Sequence, residues 1–510
     1  MNKKIIAWDL GTGGNKASLY NVDGICIAST FVSYNTTYPD HGWHEQRPSD
    51  WWDAVVESTK QLMDVTGIDK DDVVCCGISG HSLGAVPIDK NGILLRESVP
   101  IWSDSRAGDQ AKEYFESFDE EKWYMTTGSG FTPQLYTIFK VMWYRDNELE
   151  MYQKIDKVIG TKDFINFKLT GVVVTDPSYA SGSGVYDLNN WDYSDELINQ
   201  SGIPKSVFPE IVPSTRVIGM INSDIADEMG LGHRVDVVAG GVDNSCMALG
   251  AKAFMEGRVY NNLGSSSWIA ISSYKPILNN NSRPYVFAHV VPGMFASALC
   301  IASGGTSFRW IRDNLVPDLM EKATQEGVDV YELMTEEASR SPLGANKLIF
   351  NPSLGGGMPI EGSVNIRGAF VGLDLKHVRA DMLRAAMEGI TFSLKVCLEE
   401  LKNLTEVSKE MLIVGGGSKS AVWRQIYADI YDIKIVKSNV DQQAAALGAA
   451  AIAAVGTGIW DDFSRIDQIH KTLEEVIPCS INVLKYQRML PIFRKVAVQQ
   501  SNIGDLLNGL

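Results

Sequence analysis

Four short segments constrain this chain more than anything in its composition. Each is a β-rich apolar run that stops abruptly on small residues: IIAWDLGTGGNKASLY (5–20), DVVAGGVDNS (236–245), VYNNLGSSSWIAIS (259–272) and MLIVGGGSKS (411–420). The first and third predict hairpins closed by tight Gly/Ser/Thr turns. The second and fourth predict a strand that ends in glycines and opens a helix. Hairpin, strand-to-helix, hairpin, strand-to-helix is an internal duplication of architecture. Two α/β halves facing each other would bring all four turns to one cleft. The length, 510 residues, suits two domains of about 250 residues better than one core. The change of domain is set near residue 247, giving 1–247 and 248–510.

Between these segments helical periodicity alternates with short strands. A helix is expected over 50–64 with Asp50 as its N-cap, a long one over 378–402, and two more over 420–432 and 442–455. From about residue 480 the pattern weakens and no element is assigned. Hydrophobic residues make up 45% and charged residues 21%, the balance of a globular protein. The net charge of -16 repels polyanions at long range. Nucleic acid is therefore not expected as a partner, and any phosphate site must be local. Seven cysteines, an odd number with no CxxC pair, argue for a reducing compartment, with Cys75 and Cys76 as buried strand thiols. The apolar run before Asp9 is only four residues, Ile5–Trp8, and no apolar run reaches about 18 residues. No leader and no membrane partner are expected, and the location implied is cytoplasmic.

A nucleotide kinase needs backbone N–H groups around phosphates, an anchored metal, and a base for the attacking hydroxyl. No Gly-Lys dipeptide occurs, so the usual P-loop is excluded, and GxGxxG is absent too. The turn Asp9-Leu10-Gly11-Thr12-Gly13-Gly14-Asn15-Lys16 offers another clamp, because glycines let successive N–H groups converge on an anion. Thr12 adds a hydroxyl, Lys16 a counter-charge, and Asp9 a carboxylate able to hold Mg²⁺ through water. A plain hairpin is the other reading of that segment. Gly264-Ser265-Ser266-Ser267 is the matching turn of the second half, and GGGSKS (415–420) opens a helix where adenine and ribose could lie against backbone. Asp243 is either an N-cap or the general base, ionised at neutral pH if its pKa is near 4. His41 and His44 form HxxH with no third ligand nearby and do not predict zinc.

Taken together these segments resemble the FGGY family of carbohydrate kinases over nearly the whole chain. The family's DxGTxxxK is similar to Asp9–Lys16, its EQxPxxWW to EQRPSDWW (45–52), and its WxDxR to Trp102-Ser-Asp104-Ser-Arg106. LTGVVVTDPSYAS (169–181) also resembles a family segment. GAFVGLDLKHVRADMLRAAMEG (368–389) fits the second family signature throughout, whereas YTIFKVMWYRDN (136–147) fits the first loosely, at Leu135 and Tyr144. The resemblance implies an α/β fold of two actin-like, ribonuclease-H-like domains with the active site in the cleft between them. It implies ATP and Mg²⁺ as cofactors and a small sugar as substrate. Asp243 would be the catalytic base and Asp9 the metal-associated carboxylate. Thr12, Gly13, Lys16, Ser265 and Ser266 would contact phosphate, and Gly305, Gly416 and Ser420 the nucleoside. His81, Ser82, Leu83, Trp102, Asp104 and Asn244 would contact the sugar.

The overall pattern is nearest to xylulokinases, which implies a pentulose such as xylulose. Where those enzymes carry Gln-Met-His-Gly, this chain has His81-Ser82-Leu83-Gly84, and GGGMP (355–359) replaces a frequent Gly-Glu-Arg-x-P. Another ketose, a polyol or an aldonate therefore stays open as substrate. An actin-like ATPase working on a protein partner is the alternative of another class, and a homodimer is left open.

Overall fold

The computed structural model describes residues 3–264, 266–440 and 442–509. Two mixed seven-stranded sheets organise the chain. In the first, strand Lys4–Gly11 pairs antiparallel with Gly14–Asn21 and parallel with Val73–Gly80. In the second, Val259–Leu263 pairs antiparallel with Ser267–Ser273 and parallel with Glu410–Gly415. Each sheet is thus built outward from a hairpin and one parallel neighbour, and the duplication expected from the sequence is present in the strand order.

The strand-to-helix segments supply the packing between the sheets. Asp243–Gly250 and Ala444–Gly456 are helices that cross face to face. Glycine makes that crossing possible. A Cβ at Gly250 would sit 1.8 Å from the Ala444 carbonyl oxygen, and one at Gly448 2.0 Å from that of Cys246. The alanine run is the other side of the same close approach: eleven residues of Ala444–Gly456, Ala444 to Ala454, are buried. A helix apolar on every face belongs in a core, and this one packs between the first sheet and the helix Asp243–Gly250, which in turn touches the second sheet.

Several expected elements shift at their ends. The first long helix runs Pro48–Thr66, with Arg47 at the N-cap and Pro48 in the first turn, so Asp50 is not the cap. Proline at that place forfeits no intrahelical bond. The long helix is Arg379–Leu404, and the next two are Ala421–Tyr431 and Ala444–Gly456. The segment left unassigned is a 29-residue helix, Ser480–Asn508, with Pro491 inside it. Phe493 stacks on Phe392, and Tyr486 meets the same ring edge-on, so tertiary packing sustains a helix that its own sequence interrupts. No disulfide forms among the described residues, and Cys75 and Cys76 are buried. Among those residues no helix is long and apolar enough to cross a membrane.

Candidate active site

Three strand ends of the first sheet meet where the carboxylates stand. Leu10 and Val242 both pair with Gly80, so Asp9, Ser79 and Asp243 come from adjacent strands or the residue just after one. Ser79 donates its hydroxyl to Asp9 Oδ1 at 3.2 Å. Burial pushes the Asp9 carboxyl above its usual range, against the opposing pull of the Lys16 charge and of Ser79.

Asp243 is the first residue of its helix, following Val242, and its side chain does not cap. Its Oδ1 accepts from the Asn244 backbone N–H at 2.8 Å and from Asn244 Nδ2 at 3.0 Å. Burial, reinforced by the charge of Asp9, lifts its pKa to about 7. The expectation of an ordinary value near 4 is corrected: two carboxylates sharing one desolvated corner oppose each other's ionisation. A base whose pKa lies near the working pH is well placed to accept a proton from a hydroxyl.

The hairpin turn is held from outside by the EQRPSDWW segment. Trp51 Nε1 donates to Gln46 Oε1 at 2.9 Å, and Gln46 Nε2 donates to the Thr12 carbonyl at 2.7 Å. Trp102, an exposed indole, donates to Thr12 Oγ1 at 2.9 Å. A Cβ on Gly13 would meet nothing within 4 Å, so the turn's outer side is open. Lys16 reaches across to the second half and donates to the Gln442 carbonyl at 2.8 Å. Ser266 lies in the matching turn of the second sheet, and Ser265 lies outside the described residues.

Beyond these turns is a cavity of about 350 Å³ whose lining includes Gly264, Gly305, Gly416 and Ser420. It brings together the three residues expected at the nucleoside. Gly305 opens the helix Gly305–Leu315 and donates its N–H to the Gly264 carbonyl at 2.9 Å. Ser420 caps Ala421–Tyr431 by accepting from the Trp423 N–H. Sequence reasoning missed the aromatic wall of this cavity: Phe308 stacks on Tyr331 at 5.9 Å and meets Trp423 edge-on at 4.8 Å. Phe308 and Trp423 each stand three residues after an expected contact, Gly305 and Ser420, and helical spacing was the available signal. Flat rings beside side-chain-free backbone suit a purine nucleoside.

The residues expected at the sugar divide. Asp104 is fully buried and clasps Arg106 at 2.9 and 2.8 Å while accepting the His44 N–H at 2.7 Å. It organises its loop. His81 is buried with its ring edge-on to Trp51 at 5.4 Å, and neither ring nitrogen has a hydrogen-bond partner among the described residues. Burial and the Lys140 charge lower its pKa to about 3, so the imidazole is neutral. Ser82 and Leu83 are also buried, and Leu83 adopts a left-handed backbone with φ 59°.

No group of three or more metal-ligating side chains converges among the described residues. Mg²⁺ does not require one, since it keeps most of its water and takes one or two carboxylates with substrate phosphates. Asp9 beside Asp243, both with raised pKa values, is a donor set that a divalent cation would relieve.

Comparison with known proteins agrees with this arrangement. Residues 4–250 match the N-terminal domain, and residues 259–457 the C-terminal domain, of the FGGY family of carbohydrate kinases. The chain is 29% identical over 499 residues to the xylulose kinase of Staphylococcus xylosus, covering 96% of this chain and 99% of that one. It superposes on the gluconate kinase of Lactobacillus acidophilus with a TM-score of 0.89 at 27% identity, covering 98% and 99% of the two chains. On the ligand-bound xylulose kinase of the same organism the TM-score is 0.88 at 27% identity, with 97% of each chain covered. Two duplicated α/β domains, a carboxylate pair at the strand ends and a glycine-walled cavity opposite therefore have one common explanation: the chain belongs to the FGGY family of carbohydrate kinases.

Proposed function

We propose that this protein transfers the γ-phosphoryl group of ATP to a hydroxyl of a small free sugar, a pentulose such as xylulose, with Asp243 as general base. The observation that carries the reading is the Asp243 carboxyl, half-buried, oriented by Asn244 and lifted to about 7 beside Asp9. Asp243 accepts the hydroxyl proton as the oxygen attacks in line. Asn244 fixes the carboxylate rotamer, and Asp9 holds the metal side of the site. Thr12, Gly13 and Ser266 face the phosphates, with Gly305, Gly416 and Ser420 along the nucleoside. When bound, Mg·ATP supplies the phosphoryl group and neutralises the charge that builds on its oxygens. Likeness to a gluconate kinase over the same span keeps an aldonate as the second substrate class.

The test is sugar-dependent ADP release over a panel of ketoses, polyols and aldonates, with wild type and Asp243→Asn. A pentulose among the best substrates is expected, with release by the variant lowered by about 10²–10⁴-fold. ATP hydrolysis that no sugar stimulates would overturn the reading in favour of an ATPase acting on a protein partner.

A further inference from the structure

One invested charge in the first domain has no part in the chemistry above. Lys140 lies in the helix Thr137–Asn147 and is fully buried. No carboxylate comes within 4 Å of its ammonium among the described residues. Asp104, whose charge acts on it, is engaged by Arg106, and burial brings the Lys140 pKa down to about 7. Burying an unpaired cation is costly unless its hydrogen bonds are well placed. Lys140 Nζ donates to the Leu83 carbonyl at 2.8 Å and to the Ile101 carbonyl at 2.6 Å.

Those two carbonyls belong to different loops. Leu83 ends the His81-Ser82-Leu83 segment that follows strand Val73–Gly80, and Ile101 immediately precedes Trp102. The same helix face engages the first loop twice more. Thr137 Oγ1 donates to the Gly84 carbonyl at 3.2 Å and Tyr144 OH to the Ala85 carbonyl at 2.9 Å. Spacings of three and four residues put Thr137, Lys140 and Tyr144 on one stripe, which therefore holds three successive carbonyls. Leu83 needs holding, because a left-handed backbone is unfavourable for a branched side chain. Of the three donors only Lys140 also reaches the second loop, where the Ile101 carbonyl accepts the Asp104 N–H as well, at 3.1 Å.

We propose that Lys140 is a positioning residue for the sugar: its buried amine ties the 81–85 loop to the 101–106 loop and so fixes how far apart the two loops hold the residues expected at the sugar. This rests on the sugar-kinase reading and adds to it the group that sets affinity for the acceptor. The ammonium touches neither phosphate turn nor Asp243, so its loss acts on sugar binding and leaves phosphoryl transfer intact at saturation.

The experiment compares Lys140→Met and Lys140→Gln with wild type, using the panel's best sugar. Measured are sugar KM, kcat, ATP affinity by titration, and amide exchange of residues 81–85 and 101–106. Lys140→Met should raise sugar KM at least tenfold, with kcat and ATP affinity within threefold, and both loops should exchange faster together. Lys140→Gln keeps donors on a shorter stem and should fall between, at threefold or more. It carries the test alone if the methionine variant does not fold. A sugar KM unchanged in either folded variant overturns the proposal, as does a parallel loss of ATP affinity and kcat. A wild type that turns over no sugar overturns the kinase reading itself, and this inference with it.

Discussion

The two hairpin turns open alike and differ, over their first four residues, in one charge. The first reads Asp9-Leu10-Gly11-Thr12 and the second Asn262-Leu263-Gly264-Ser265. Asp9 pairs in register with Ser79 on the parallel neighbour, and Asn262 with Val414. Beyond the first pair stands Asp243, and beyond the second stand Gly415 and Gly416. One half therefore concentrates carboxylates at its strand ends, and the other has a neutral amide and bare backbone there, with aromatic rings and charged side chains such as Arg309 and Lys419 farther along the cavity. The same fold was given two jobs by changing what sits at equivalent places. Acid–base and metal chemistry need carboxylates, whereas a carboxylate at the equivalent place beside a nucleotide would repel its phosphates.

The sharpest way to break this comparison is to remove the charge that has no counterpart in the second half. Asp243→Asn is expected to lower turnover by about 10²–10⁴-fold with ATP binding nearly intact, measured by coupled ADP release and nucleotide titration. Turnover within a few-fold of wild type in a folded variant would refute the assignment. Next, Asp9→Asn makes the first turn read like the second. Turnover should fall about 10²-fold through the lost electrostatic support. The acid limb of kcat/KM should move as well. In wild type it is expected near 7, since Asp243 must be ionised, and without the neighbouring charge it should shift to lower pH. An unmoved limb would mean that Asp9 does not influence the base.

The converse change, Asn262→Asp, gives the second turn the charge of the first. It should weaken ATP about tenfold, or about 1.4 kcal/mol, while sugar KM stays near wild type. Gly416→Ala should cost a few-fold in ATP affinity alone. A Cβ there has only the Leu263 carbonyl oxygen nearby, at 3.9 Å, so the fold tolerates it and the cavity is narrowed. Gly417→Ala would instead collide with Leu263 Cδ2 at 2.1 Å and should lower the melting temperature.

The smallest effect is one of stability. A carboxyl raised from 3.8 to about 7 favours the folded state most below pH 4, and that contribution is lost as pH rises through 7. Asp243→Asn should therefore raise the melting temperature by a few degrees at pH 8 and by less than half as much at pH 5, by scanning calorimetry. Equal shifts at both pH values would show that the buried charge is not the cause.

Much of this design was legible locally. Glycine-terminated β-rich runs announce hairpins and strand-to-helix junctions, because turn geometry is decided by the few residues inside the turn. The helix Ser480–Asn508 was not legible, since Pro491 interrupts its pattern and its partner Phe392 lies far away in sequence. Phe308, Tyr331 and Trp423 escaped for a related reason: three helices distant in the chain assemble one wall.

The sequence by itself determined the duplicated architecture, the family and the chemical types at the strand ends, because each depends on residues that are neighbours along the chain. Only the tertiary structure decided what those groups experience. Asp243 near pH 7, the neutral His81 against Trp51, and Lys140 joining two loops all follow from burial and from contacts between distant segments. Desolvation and the field of a neighbouring charge depend on distance in space, and a chain records only distance in sequence.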